Sequence, residues 1–200
     1  MTTILKPTVC GVGINDLIGK ETNFRDQYWY QCWREMLRRC YSSTWHKTRP
    51  TYIGCTVDPK WHYLSNFKQW YDQQGDVTGK QLDKDIISPQ NKLYSPDTCF
   101  FVSLQLNVFF TKSNSSRGKY PLGVYKETAT KRRKPFTALI RNGAGKRKFI
   151  GYYATPEEAH QAFIQAKKKQ LLERFILPET DQRLKQALYN VYNNMEEYFK

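Results

Sequence analysis

Between Asp26 and Tyr41 the apolar and aromatic residues Trp29, Cys32, Trp33, Met36, Leu37 and Cys40 recur every three or four positions, with Arg34, Glu35, Arg38 and Arg39 between them. That period is one face of an amphipathic helix. A β-prone run, Thr51 to Val57, is interrupted by Gly54 and followed by Asp58 and Pro59, which suit an N-cap and a first helical position. A second helix is therefore predicted from about Lys60 to Asp72, with Trp61, Leu64, Phe67, Trp70 and Tyr71 on its core face. Beyond the turn-forming stretch Gly75 to Gly79 the pattern predicts a strand from Gln81 to Ile87 and a loop holding Pro89, Asn91 and Pro96. A strand from Thr98 to Val102 and a short helix from Ser103 to Phe110 complete this part.

Residues 113–118 read Ser-Asn-Ser-Ser-Arg-Gly, polar and free of apolar side chains, which marks a linker. After it, Leu122 to Lys126, Phe136 to Arg141 and Lys148 to Tyr153 alternate or are β-rich, separated by turn signals near Lys131 and at 142–145, so three antiparallel strands are expected. Thr155-Pro156-Glu157-Glu158 supplies a cap, a proline at the first helical position and acids in the first turn, before a stripe of Ala159, Ala162, Phe163 and Ala166. A last amphipathic helix, Glu179 to Phe199, carries Leu184, Leu188, Val191, Met195 and Phe199 on one face. That face suits a return to the first half, self-association or a protein partner. The expected class is α+β. Residues 1–112 form one domain, 113–118 a linker, 119–176 a sheet-and-helix domain and 177–200 a terminal helix.

Composition narrows the partners. Of 200 residues, 40% are hydrophobic and 25% charged, a globular balance that excludes wholesale disorder. No apolar run approaches the roughly 20 residues of a membrane span, and the first residues lack the basic start and apolar stretch of a secretory signal. A protein working in the cytoplasm, away from membranes, is expected. The net charge is +14, which points to a polyanion, nucleic acid foremost. Twelve Lys and Arg fall between Lys112 and Ile150, opposed by Glu127 alone, a local +11. Nothing in the pattern suggests a small-molecule substrate. The five cysteines form no CxxC pair, so neither a disulfide framework nor a structural zinc site is expected.

The segment Gln81 to Phe109 contains Leu82-Asp83-Lys84-Asp85-Ile86, Asn91, Tyr94-Ser95-Pro96, Cys99 and Asn107. In that order and spacing it resembles the ββα core of phage-type HNH homing endonucleases, with Trp33, Cys40-Tyr41 and Trp61 to Phe67 resembling their lead-in helices. The resemblance covers residues 26–112. It implies Asp83 and Asn107 as ligands of Mg²⁺ or another divalent cation, Asn91 as the residue that orients the base, and Lys84 in the position of the base. A metal would stabilise the leaving oxygen while a base activates water. A solvated Lys, with a pKa near 10.4, is protonated at neutral pH and accepts no proton. Three readings follow: Lys84 is tuned by burial, it holds a phosphate as a point charge, or hydrolysis is lost and binding kept.

The later residues Gly123-Val124-Tyr125, Phe136 to Arg141, Arg147 to Tyr153 and Thr155 to Ala159 resemble the plant ethylene-response-factor, or APETALA-type, DNA-binding domain, which occurs fused to HNH units in phage homing endonucleases. The resemblance implies a three-stranded sheet that enters the major groove of double-stranded DNA. Alternation places Ala138 and Ile140 towards the helix and Thr137, Leu139 and Arg141 outward, with Arg147 and Phe149 beside them. Arg141 and Arg147 then correspond to base- or phosphate-contacting arginines, Phe149 to a Trp on the backbone, and Tyr125 to a further contact position. Lys126, Arg132, Arg133, Lys134 and Lys146 read as phosphate contacts. The expectation is a DNA-binding protein with a possible metal-dependent endonuclease activity. The alternatives are a non-catalytic regulator or accessory factor on the same fold, and an RNA- or host-factor-binding protein.

Overall fold

The computed structural model describes residues 6–17, 19, 24–88, 90–111, 119–127, 133–142 and 145–199. The chain divides into two compact units, residues 1–104 and 105–200.

In the first unit the stripe read from the sequence becomes α1 (Tyr28–Tyr41), with Trp29, Cys32, Trp33, Met36, Leu37 and Cys40 buried. A short α2 (Ser43–Thr48) follows. The predicted second helix is present in two pieces, a 3₁₀ turn Pro59–His62 and α3 (Leu64–Asp72). The break at Tyr63 has a long-range cause. Ile14 bridges to Tyr63, its N–H donating to the His62 carbonyl at 2.8 Å and its carbonyl accepting from Leu64 N–H at 3.0 Å, so the backbone there is extended. Trp61, Leu64, Phe67 and Trp70 still face the core, and the Trp33 indole N–H donates to the Trp61 carbonyl at 2.7 Å.

The strand expected over 51–57 shrinks to β1 (Thr56–Val57), which pairs in parallel with β3 (Leu93–Tyr94), an element the periodicity did not suggest. β2 (Lys80–Asp83) pairs antiparallel with β4 (Phe100–Ser103), Asp83 opposite Phe100. β2 stops four residues earlier than predicted because Asp83 Oδ1 accepts the N–H groups of Asp85 (2.9 Å) and Ile86 (3.0 Å), which turns the chain.

Residues 105–110 group with the second unit, whereas the sequence placed the boundary at 112. In α4 (Leu104–Phe110) the rings of Phe109 and Phe110 pack on Phe175 and Tyr198, and these contacts draw the helix there. The linker assigned to 113–118 lies outside the described residues. β5 (Val124–Lys126), β6 (Phe136–Arg141) and β7 (Arg147–Tyr153) form an antiparallel sheet in that order. α5 (Pro156–Leu171) crosses it and ends in one π-helical turn, Leu172–Ile176. The predicted cap is made: Thr155 Oγ1 accepts from Glu158 N–H at 3.2 Å, and Glu158 Oε2 accepts from Ala154 N–H. Gly123 sits at φ +82°, and a Cβ there would lie 2.1 Å from the Phe163 ring, so the strand entry demands glycine.

The terminal helix is broken at Asn194 into α6 (Gln182–Asn193) and α7 (Met195–Tyr198). Leu184, Leu188, Val191, Met195 and Phe199 are all buried, and the Phe199 ring meets Phe163 of α5. The apolar face, for which the sequence leaves open a return to the first half, self-association or a protein partner, is thus covered within its own unit, and the helix is part of that unit rather than a separate segment. The architecture is α+β, with a three-stranded sheet packed on a helix. Among the described residues no helix is long and apolar enough to cross a membrane.

Candidate nucleic-acid interface

Strand register sorts the side chains of the second unit onto two faces, because residues directly opposite in an antiparallel pair point the same way. Val124 opposes Ala138 and Ala138 opposes Gly151; Val124 and Ala138 are buried against Ala159 of α5. The other face carries three rows. Tyr125, Thr137 and Tyr152 form one, Leu139 and Phe149 the next, and Arg141 and Arg147 the third. An irregularity between Ala138 and Leu139 lets both Phe149 and Tyr152 reach this face.

Three of its rings are unusually open, Phe149 at 51%, Tyr125 at 44% and Tyr152 at 37% exposure. Phe149 and Tyr152 lie 4.8 Å apart between centroids with planes at 57°. The Arg147 guanidinium lies 5.4 Å from the centre of the Tyr125 ring, within cation–π range. Arg141 donates from its guanidinium to the Gly145 carbonyl at 3.1 Å, which holds the charged end of the side chain at the β6–β7 turn. Lys146 is exposed in that turn, its N–H held by Asn142 Oδ1 at 2.9 Å, and Arg133 and Lys134 are exposed ahead of β6.

Thus Arg141, Arg147, Phe149 and Tyr125 gather on one face, as alternation predicts. Thr137 stands in the middle of that face but is only 5% exposed, with its hydroxyl directed to Glu127 Oε1 at 3.5 Å. It lies between Tyr125 and Tyr152 in its row and offers little to a ligand. Lys126 opposes Phe136 and shares the helix side of the sheet, where its ammonium lies 6.0 Å from the Phe136 ring centre. It does not belong to the open face. Arg132 lies outside the described residues. Tyr152 was overlooked as a contact; simple alternation puts it opposite Phe149, and only the irregularity in β7 brings the two together.

In the first unit Asp83, Lys84, Asp85 and Asn91 also gather, around a Lys84 side chain that is itself buried. Lys84 is 5% exposed, its ammonium donating to Asp85 Oδ1 and to the Asn91 backbone carbonyl at 2.7 Å, with the Tyr94 ring 5.6 Å away. Asn91 closes the loop in turn. Its Nδ2 donates to the carbonyls of Lys84 (2.9 Å) and Leu93 (2.8 Å), and its Oδ1 accepts Leu93 N–H at 3.0 Å. Burial, and then the Asp85 charge, hold the Asp83 carboxyl above its ordinary pKa, while the amides of Asp85 and Ile86 and the Lys84 charge pull the other way. Nearby thiols are inert: burial pushes Cys40 and Cys99 up to about 12.

Among the described residues around Lys84 the Asp83 and Asp85 carboxylates take backbone amides and an ammonium as partners. Asp83 spends one oxygen on two amides, and Asp85 faces an ammonium, a resident cation that repels a second. Asn107 belongs to α4 of the second unit. Among the described residues no three His, Cys, Asp or Glu side chains are grouped to hold a metal. Comparison with known proteins returns no matching family model, no similar curated protein and no similar solved structure.

Proposed function

We propose that this chain is a cytoplasmic protein that binds double-stranded DNA through the open face of the β5–β6–β7 sheet, with the first unit as a non-hydrolytic companion. The observation that carries the reading is the alignment of Arg141 and Arg147 with Phe149 and Tyr125 on one exposed sheet face, within the most basic stretch of the chain. A twisted sheet of this kind fits the major groove, where arginines read guanine edges or hold phosphates.

Lys84 favours binding over scission. An ammonium already donating to Asp85 and to the Asn91 carbonyl has no lone pair with which to take a proton from water. The buried position also leaves it poorly placed to reach a phosphate as a point charge.

Fluorescence anisotropy with labelled duplex, at two salt concentrations, tests the first half. Arg141→Glu with Arg147→Glu should weaken binding roughly a hundredfold and flatten the salt slope by about two. Unchanged affinity removes the sheet face from the interface. Incubation of supercoiled plasmid with Mg²⁺, Mn²⁺ or chelator tests the second half, and the plasmid should stay supercoiled. Metal-dependent nicking that disappears in Asp83→Asn would replace the non-hydrolytic reading with the endonuclease.

A further inference from the structure

The open face carries more aromatic surface than a closed duplex can use. Within a duplex both faces of every base are covered by neighbouring pairs, so a protein ring meets only sugars, base edges and thymine methyl groups. An unpaired base offers its whole face, and stacking on protein aromatics is the general means of holding it. On this sheet Phe149 and Tyr152 are tilted at 57° and are not stacked face to face, and both are substantially exposed. Tyr125, with Arg147 above it, adds a further π surface across β6. Arg141 and Arg147 lie in the adjoining row, where they can hold the phosphates on either side of a splayed base.

We propose that the Tyr125, Phe149 and Tyr152 face is a platform for unpaired bases, and that the preferred ligand is DNA with a short open stretch rather than a closed duplex. The inference rests on the DNA-binding reading above and specifies its substrate class. The basic unit supplies charge for either ligand; the rings discriminate between them.

Three labelled probes of one sequence decide it: a closed duplex, the same duplex with a short internal bubble, and an RNA hairpin with the bubble sequence in its loop. A 2-aminopurine in the bubble reports stacking directly by loss of its fluorescence. The bubble should bind about five- to a hundredfold more tightly than the closed duplex, with the fluorophore quenched on binding. Phe149→Leu should remove the quenching and weaken bubble binding severalfold more than duplex binding, so that the advantage of the bubble is lost, and Phe149→Trp should keep both the advantage and the quenching. Phe149 is exposed, so neither variant removes core packing, and quenching in the unaltered protein is decisive without them. Equal affinity for bubble and duplex without quenching overturns this proposal and leaves duplex binding intact. Tighter binding of the RNA hairpin also overturns it, in favour of RNA. Failure of all three probes brings down the DNA-binding reading itself.

Discussion

Lys84 in the first unit and Arg147 in the second are both cations of a strongly basic chain, yet their surroundings are opposite. Lys84 is closed in by Asp85, the Asn91 carbonyl and Tyr94, and the unit around it is almost electrically balanced, thirteen Lys and Arg against ten Asp and Glu. Arg147 lies over an exposed ring on an open sheet, in a unit with nineteen Lys and Arg against eight acids. A buried cation must be satisfied by the protein and so contributes to the fold. An exposed one is satisfied by water until a partner replaces the water, and contributes to binding. The two resemblances therefore lead to different outcomes in one chain: the HNH-like residues are organised as a structural knot, the sheet residues as a surface.

The sharpest break of this comparison is Lys84→Met, which keeps the volume and removes the charge. Asp85 remains half-exposed and is rescued by water, but the Asn91 carbonyl loses its donor, so a cost of about 2 kcal/mol to the first unit is expected. All five tryptophans belong to that unit, which makes tryptophan emission during urea unfolding a report on it alone. Duplex affinity should change less than twofold. A stability change under about 0.5 kcal/mol together with a tenfold loss of affinity would move Lys84 to the interface.

Asp83 tests the same division more finely. Asp83→Ala strips the acceptor from the Asp85 and Ile86 amides and should cost about 1.5 kcal/mol by the same emission assay. Asp83→Asn retains an oxygen for both amides and removes a charge whose pKa is raised, so it should be neutral or stabilising at pH 7. The raised pKa fixes the sign: folded Asp83 holds its proton to higher pH than unfolded Asp83, so its contribution falls as pH rises from the ordinary carboxylate value through the folded one. Equal loss in both variants would mean that the charge, not the turn, is what the unit needs.

Much of this was legible in the sequence because it is local. The period of α1, the Thr155 cap and the alternation of Phe136 to Arg141 each depend on neighbours within a few residues, and each appears as read. What was not legible depends on distant partners. The break at Tyr63 is imposed by Ile14, the two-residue β3 exists only because β1 lies beside it, and the end of the terminal helix is held by Phe163 and Phe110 through Phe199 and Tyr198. The same holds for the site. Arg141, Arg147 and Phe149 follow from alternation, whereas the burial of Lys84 depends on a carbonyl seven residues away, and the inward side of Lys126 on its pairing with Phe136.

Lys167 shows that burial, not membership of a unit, decides what a cation does. It lies on α5 of the basic unit, yet its ammonium donates to the Phe109 carbonyl at 2.9 Å and lies 3.7 Å from the centre of the Phe109 ring and 5.0 Å from that of Phe199. Burial first, and then the Arg174 charge, lower its pKa from the usual 10.5 to about 8. The unfolded chain then binds the proton more readily than the folded one between pH 8 and 10.5, so this residue's contribution to stability is least favourable below pH 8 and improves as pH rises through that window. Urea melts followed by far-ultraviolet circular dichroism, compared between the unaltered chain and Lys167→Met, isolate it from other titrating groups. The difference between the two proteins should shift by on the order of 1 kcal/mol in favour of Lys167 between pH 7.5 and 9.5. A pH-independent difference would mean that the Phe109 carbonyl and the two rings keep the ammonium charged in spite of burial. Lys167 would then be a buried cation fully satisfied by its surroundings, as Lys84 is by Asp85 and Asn91.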